Sequence, residues 1–125
     1  MENKPTDSEL EVLSLIWEKG PLTVREIHDQ IKISRNIGYT TTLKIMQIMH
    51  EKGMLKRVKK GKTHLYRAGQ DRNKTQNGLM SRMLNMVFQG STKELVIQAL
   101  GNSKPTKDEL DEIRAYLDQL NDEMK

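Results

Sequence analysis

Three histidines, His28, His50 and His64, are the side chains best suited to acid–base or metal chemistry, and they stand 22 and 14 residues apart. With no cysteine in the chain, no His-Glu-x-x-His pair and no Ser/Asp grouping of the kind a hydrolase uses, thiol catalysis, zinc centres and catalytic triads all lack their parts. The eight glycines fall singly and make neither of the glycine-rich phosphate loops. Each histidine is therefore expected to be a surface or half-packed residue. The chain is expected not to be an enzyme, to hold no metal and to need no cofactor. Six of the eight methionines, Met46, Met49, Met54, Met80, Met83 and Met86, offer thioethers of the sort that bind copper(I). Most of them sit at helical core spacing, so gap filling is the expected role.

What remains is positive charge. Lys56, Arg57, Lys59, Lys60, Lys62 and Arg67 fall within twelve residues that contain no acid. Residues 1–68 carry 13 Lys and Arg against 8 Asp and Glu, net +5, and the remainder 8 against 9, net −1. A basic half joined to a slightly acidic half suits a polyanion-binding module carrying an assembly module. A solvated edge strand guarded by lysines is the plainer account of such a run, and the surrounding elements decide against it.

Those elements are readable from caps and spacing. Thr6 and Glu9 form a capping box before the apolar face Leu10, Leu13, Ile16 and Trp17, and Gly20-Pro21 ends that helix. Thr23 and Glu26 form a second box, stapled by Leu22 and Ile27, for a helix over about Val24 to Ile31. After a polar break at Ser34 to Asn36, Thr42, Ile45, Met46 and Met49 form the inward stripe of a third helix ending at Gly53. Its opposite face carries Thr40, Lys44, Gln47 and Glu51, with Thr41, Leu43 and Ile48 on the flanks. Met54 to Val58 and Thr63 to Arg67 then read as strands around a turn at Lys59 to Lys62. Three helices followed by a basic hairpin is the order of a winged helix-turn-helix.

From Asp71 the pattern is helical, with apolar spacing at Leu79, Met80, Met83, Leu84 and Val87, then Leu95, Val96, Ala99 and Leu100, and breaks at Gly90 and Gly101. A third capping box, Thr106 to Glu109, opens a helix whose Leu110, Ile113, Leu117 and Leu120 make a narrow seam suited to a partner helix. At 125 residues, 35% hydrophobic and 30% charged, with a mean hydropathy of −0.72, the core is thin for a monomer and a homodimer is expected. No apolar run approaches the roughly 18 residues of a membrane span, so the chain is expected to be cytoplasmic with no membrane insertion.

The stretches Thr6 to Leu13, Trp17 to Ile27, Gly38 to Leu43 and Glu51 to Leu55 resemble the penicillinase-repressor family, that is BlaI and MecI with their copper-responsive CopY relatives. The likeness is specific through the first 67 residues and looser beyond them, where it rests on Leu95-Val96 and Thr106 to Leu120. It implies a homodimeric transcriptional repressor with an N-terminal winged helix and a C-terminal three-helix dimerisation domain on a palindromic promoter operator. By motif position it assigns Tyr39, Thr40, Thr41 and Lys44 to recognition-helix contacts and Lys59 to Lys62 to the wing. Ile48 stands where many members have Arg, and Thr42 where they have an aliphatic residue. The family's dimer domain is cut, in its β-lactam-responsive members, at an Asn-Phe pair by a sensor-linked protease. The matching position here is Gln98-Ala99, so that protease is expected to cut this chain poorly. The lack of cysteine excludes the thiolate motif of the copper-responsive members.

The expected architecture is mainly α with a small β-hairpin: a winged helix-turn-helix over residues 1–70 and a helical dimerisation domain over 71–125. Thr40, Thr41 and Lys44 are expected to read base edges of double-stranded DNA, since Lys meets guanine O6/N7 and Thr a polar edge or thymine methyl. The plainer role for the two threonines is capping of first-turn amides. Tyr39, Arg25, Lys59, Lys60 and Lys62 are expected to hold the phosphate backbone. The rival readings are a winged-helix adaptor that binds proteins and a repressor controlled by a small ligand.

Overall fold

In the computed structural model, which describes residues 4–125, capping chemistry starts the helices where the sequence predicts. Thr6 and Thr23 each accept a hydrogen bond at the hydroxyl from the amide of Glu9 and Glu26, and each glutamate accepts one from the threonine amide in return. They open α1 (Asp7–Lys19) and α2 (Val24–Ser34). Helix α2 continues one turn past the expected Ile31, because nothing between Lys32 and Ser34 breaks a helix. It ends where Arg35 turns extended. Helix α3 (Tyr39–Glu51) follows, then β1 (Leu55–Lys60) and β2 (Thr63–Ala68).

The two strands pair antiparallel, Leu55 opposite Ala68 and Lys60 opposite Thr63. The hairpin is longer and tighter than its composition suggests. Lys59 and Lys60 lie on β1, and the connection is only Gly61-Lys62, with Gly61 at φ +65, a positive value that suits the first loop residue of a hairpin. Leu22, just before α2, exchanges backbone hydrogen bonds with Tyr66 at 3.0 and 2.8 Å, and so ties the α1–α2 connection to the free edge of β2.

Val12, Leu13, Ile27, Met46, Met49 and Met54 are fully buried, and Leu55 and Tyr66 join them from the hairpin. Burying such side chains stabilises by roughly 1.5–3 kcal/mol each, and this is what fixes α3 against α1 and α2. The gap-filling role thus holds for Met46, Met49 and Met54. Within the single chain Met80, Met83 and Met86 fill no core, being 54%, 53% and 70% exposed.

By compactness the chain falls into two units, Met1–Asn77 and Gly78–Lys125, and α4 (Arg72–Met86) runs from one into the other. The second unit also holds α5 (Thr92–Ser103), capped by Ser91, and α6 (Lys107–Glu123), opened by the Thr106–Glu109 box. Gly101 does not end α5. A glycine in a helix costs about 1 kcal/mol relative to alanine without forcing a stop, and the break comes at Lys104, left-handed at φ 49, before Pro105. Val87 likewise lies past the end of α4. None of α4, α5 and α6 contains a buried residue. Among the described residues no helix is long and apolar enough to cross a membrane, and no cluster of His, Asp and Glu is arranged to hold a metal.

Candidate nucleic-acid interface

Helix α3 presents two different chemistries on its two sides because its inward residues are taken by the core. Thr42, Met46 and Met49 are fully buried, and Thr40, Thr41, Lys44 and Gln47 are exposed. Its N-cap is Gly38, with no side-chain cap and no acid in the first turn. The threonines therefore do not act as caps, and the helix begins with unneutralised amides at the positive end of its dipole. The starts of α1, α2, α5 and α6 are each closed by a Ser or Thr hydroxyl with a glutamate in the first turn.

Arg25 of α2 lies over the Tyr39 ring, its guanidinium carbon 4.3 Å from the ring centre. This cation–π contact brings a cation from α2 to the first turn of α3. Tyr39 in turn meets the His28 ring edge-on, with centroids 5.5 Å apart at 88°. His28 is 7% exposed, against the expectation of a surface or half-packed residue. Its Nδ1 lies 2.8 Å from the Thr42 hydroxyl, a hydrogen bond in either ring tautomer. Spacing along the chain does not reveal this pair. The signal available was Thr42 on the inward stripe, a hydroxyl that needs a buried partner, with a histidine on the preceding helix.

On the hairpin, strand alternation puts Lys59 on the face of Arg57 and Leu55, and Lys60 on the face of Lys56 and Val58. The wing cations thus point to both sides of the hairpin rather than forming one patch. Arg57 donates to the Tyr66 hydroxyl at 3.3 Å. Among the described residues none of the six hairpin cations is in a salt bridge. Glu26 feels one of them: the Thr23 amide and hydroxyl, and then the charge of Lys60, hold its carboxyl below the ordinary value of 4.5. Glu26, which this charge reaches, is the neighbour of Arg25 on α2. The structure brings Arg25, Tyr39, Thr40 and Thr41 together at one end of α3, with Lys44 a turn along. Lys59 lies on β1 and Lys62 in the connection of the hairpin.

At the other end of the chain, Leu110, Leu117 and Leu120 are 41%, 51% and 37% exposed, with Ile113 half-buried. Gln98 and Ala99 are exposed in the middle of α5, where Ser103 donates to the Ala99 carbonyl at 2.7 Å.

The family model described as Penicillinase repressor matches residues 5–119. The methicillin resistance regulatory protein MecI of Mammaliicoccus sciuri is 24% identical over 95% of this chain and 99% of its own length. A penicillinase repressor of Staphylococcus aureus is 25% identical over 96% and 98%. Among solved structures, the monomeric form of Bacillus licheniformis BlaI in complex with the blaP half-operator aligns at a TM-score of 0.50 and 24% identity, covering 58% of this chain and 92% of that one. A mutant of Lactococcus lactis ZitR aligns over 100% of this chain and 79% of its own at 0.51 and 19%. These structures share the winged-helix fold, and the family is one of regulators rather than enzymes. The chain belongs to the penicillinase-repressor family of DNA-binding transcriptional repressors.

Proposed function

We propose that the chain is a homodimeric repressor that occludes a promoter by placing two copies of α3 in successive major grooves of a palindromic operator. The observation that carries this reading is the division of α3 into a buried face of Thr42, Met46 and Met49 and an exposed, acid-free first turn of Tyr39, Thr40 and Thr41. In this reading Thr40, Thr41 and Lys44 meet base edges. Arg25, Tyr39 and the open amides of α3 hold phosphates, and Lys59, Lys60 and Lys62 follow the flanking backbone. The BlaI relative's complex with a half-operator supports the same use of the unit that contains α3.

Residues 1–70 act as the DNA-binding module and 71–125 as the dimerisation module. An α4–α6 region without a buried residue and with exposed Leu110, Leu117 and Leu120 gains most by burying that surface against a second copy. The protein works in the cytoplasm, where its DNA is, and leaves the operator on an inducing signal. If the signal is a sensor-linked protease acting near Gln98-Ala99, α5 must first unwind there, since a protease takes its substrate extended and this bond lies inside a helix. A pull-down of sequenced genomic fragments with the purified protein tests the reading. It predicts one enriched palindromic motif upstream of genes, and recovery no better than input contradicts it.

A further inference from the structure

Thr42 and His28 form a polar pair inside an otherwise apolar layer. Thr42 is fully buried and His28 is 7% exposed. An imidazole nitrogen and a hydroxyl at such a place each lose solvation that their mutual bond offsets in part, and two apolar side chains of similar shape fill the space without that loss. The pair is thus a poor choice if its only task is packing.

What the pair adds is direction. Thr42 is β-branched and stiff about its first torsion, so its hydroxyl points where the α3 backbone aims it. The 2.8 Å bond to His28 Nδ1 links two helix backbones through few rotatable bonds and tolerates little displacement. The His28 ring supports Tyr39 edge-on at 5.5 Å, and the Tyr39 ring carries Arg25 at 4.3 Å. Thr40 and Thr41 occupy the same turn of α3. Rotating a helix by about 10° carries a side chain roughly 6 Å from its axis through about 1 Å, more than a bidentate or close polar contact to a base edge accepts.

We propose that the buried His28–Thr42 hydrogen bond is a positioning pair for DNA reading: it sets the rotation of the first turn of α3 and, through the His28 ring, the Tyr39–Arg25 stack. Sequence discrimination then depends on two residues that touch no DNA. The inference rests on the DNA-binding function proposed above.

The test uses the full-length chain and three variants, Thr42→Ser, Thr42→Val and the double change His28→Leu with Thr42→Val. Each is incubated with a randomised duplex library, the bound fraction is sequenced, and affinities for the wild-type consensus and a scrambled duplex are measured beside thermal melting. Thr42→Ser keeps the hydroxyl and should keep the consensus and a consensus-to-scrambled ratio within about two-fold of wild type, even as its missing methyl lowers the melting temperature. Thr42→Val and the double variant should lose that ratio by about ten-fold or more, with scrambled binding and its salt dependence unchanged. The double variant, free of an unpaired buried group, should melt near wild type. A folded Thr42→Val or double variant with the wild-type consensus and ratio overturns the proposal. A double variant that does not fold overturns it too, by making the pair a requirement of the fold. If the wild type enriches no sequence and ignores duplex DNA, the repressor reading itself fails, a different outcome from an unchanged ratio.

Discussion

In the proposed function, single side chains divide into those that read DNA and those that hold the reader still. Thr41→Ala or Lys44→Ala should weaken binding to the preferred duplex by roughly 1–3 kcal/mol while leaving random-sequence binding far less changed, because each change removes a base interaction and spares most of the phosphate ones. Equal losses on both duplexes, measured by fluorescence anisotropy, would remove these residues from base reading. Glu9 belongs to the other class. Burial alone would push its carboxyl up, but the Thr6 amide and the Lys52 ammonium, 3.1 Å away, outweigh it and hold the group below the ordinary 4.5. A carboxyl depressed by folding stabilises the fold above its unfolded pKa, and that contribution fades as pH falls through the lower folded value. The melting temperature of wild type should therefore exceed that of Glu9→Gln at neutral pH, and the gap should close as pH falls below the ordinary carboxylate range. A gap independent of pH refutes the charge-based account. The exposed residues of α3 were legible in the sequence because helical spacing alone separates Thr40 and Lys44 from Thr42 and Met46. The His28–Thr42 bond was not, since spacing along one helix says nothing about which residue of another it faces.

Elements were legible where local chemistry fixes an end and obscure where it does not. All three Thr–Glu boxes open helices as expected, since cap and amide are three residues apart and need no tertiary partner. Helices α2 and α5 run past the ends their sequence suggests because Ser34 and Gly101 are weak stops, whereas Lys104 before Pro105 is a firm one. The hairpin turn is narrower than its composition suggests because a lysine cluster resembles a loop, although alternation along β1 accommodates Lys59 and Lys60. The strand after the turn returns to the core through Gly69, whose amide donates to the Met54 carbonyl at 2.8 Å. A Cβ there would collide with the carbonyl oxygen of Gly53, so Gly69→Ala should destabilise by roughly 1–3 kcal/mol, read by denaturant titration. An unchanged midpoint would mean the strand exit moves freely. Replacing Lys59, Lys60 and Lys62 together by Ala should weaken all duplexes alike and flatten the salt dependence by about 0.9 for each phosphate no longer neutralised. A purely sequence-selective loss in that variant would move the hairpin from backbone holding to base reading.

At the scale of the whole molecule, the positive charge and the helices without a buried residue fall in different parts of the chain. The net +5 of residues 1–68 accompanies the buried core, and α6, without a buried residue, carries Leu110, Ile113, Leu117 and Leu120, the seam of the proposed dimer. Leu117→Asp would put a carboxylate into that seam. It should yield a folded monomer by light scattering, and bind the preferred site roughly 100-fold or more weakly, because the second half-site is no longer tethered to the first. A dimer that survives this change would place the interface elsewhere on α4–α6. The grip on duplex DNA proposed for this chain runs through cations on α2, α3 and the hairpin. It is tested most directly by titrating the full-length protein onto one duplex at several salt concentrations. A dimer neutralising roughly 6–10 phosphates should give a slope of log K against log salt of about −5 to −9. A slope indistinguishable from zero would contradict it.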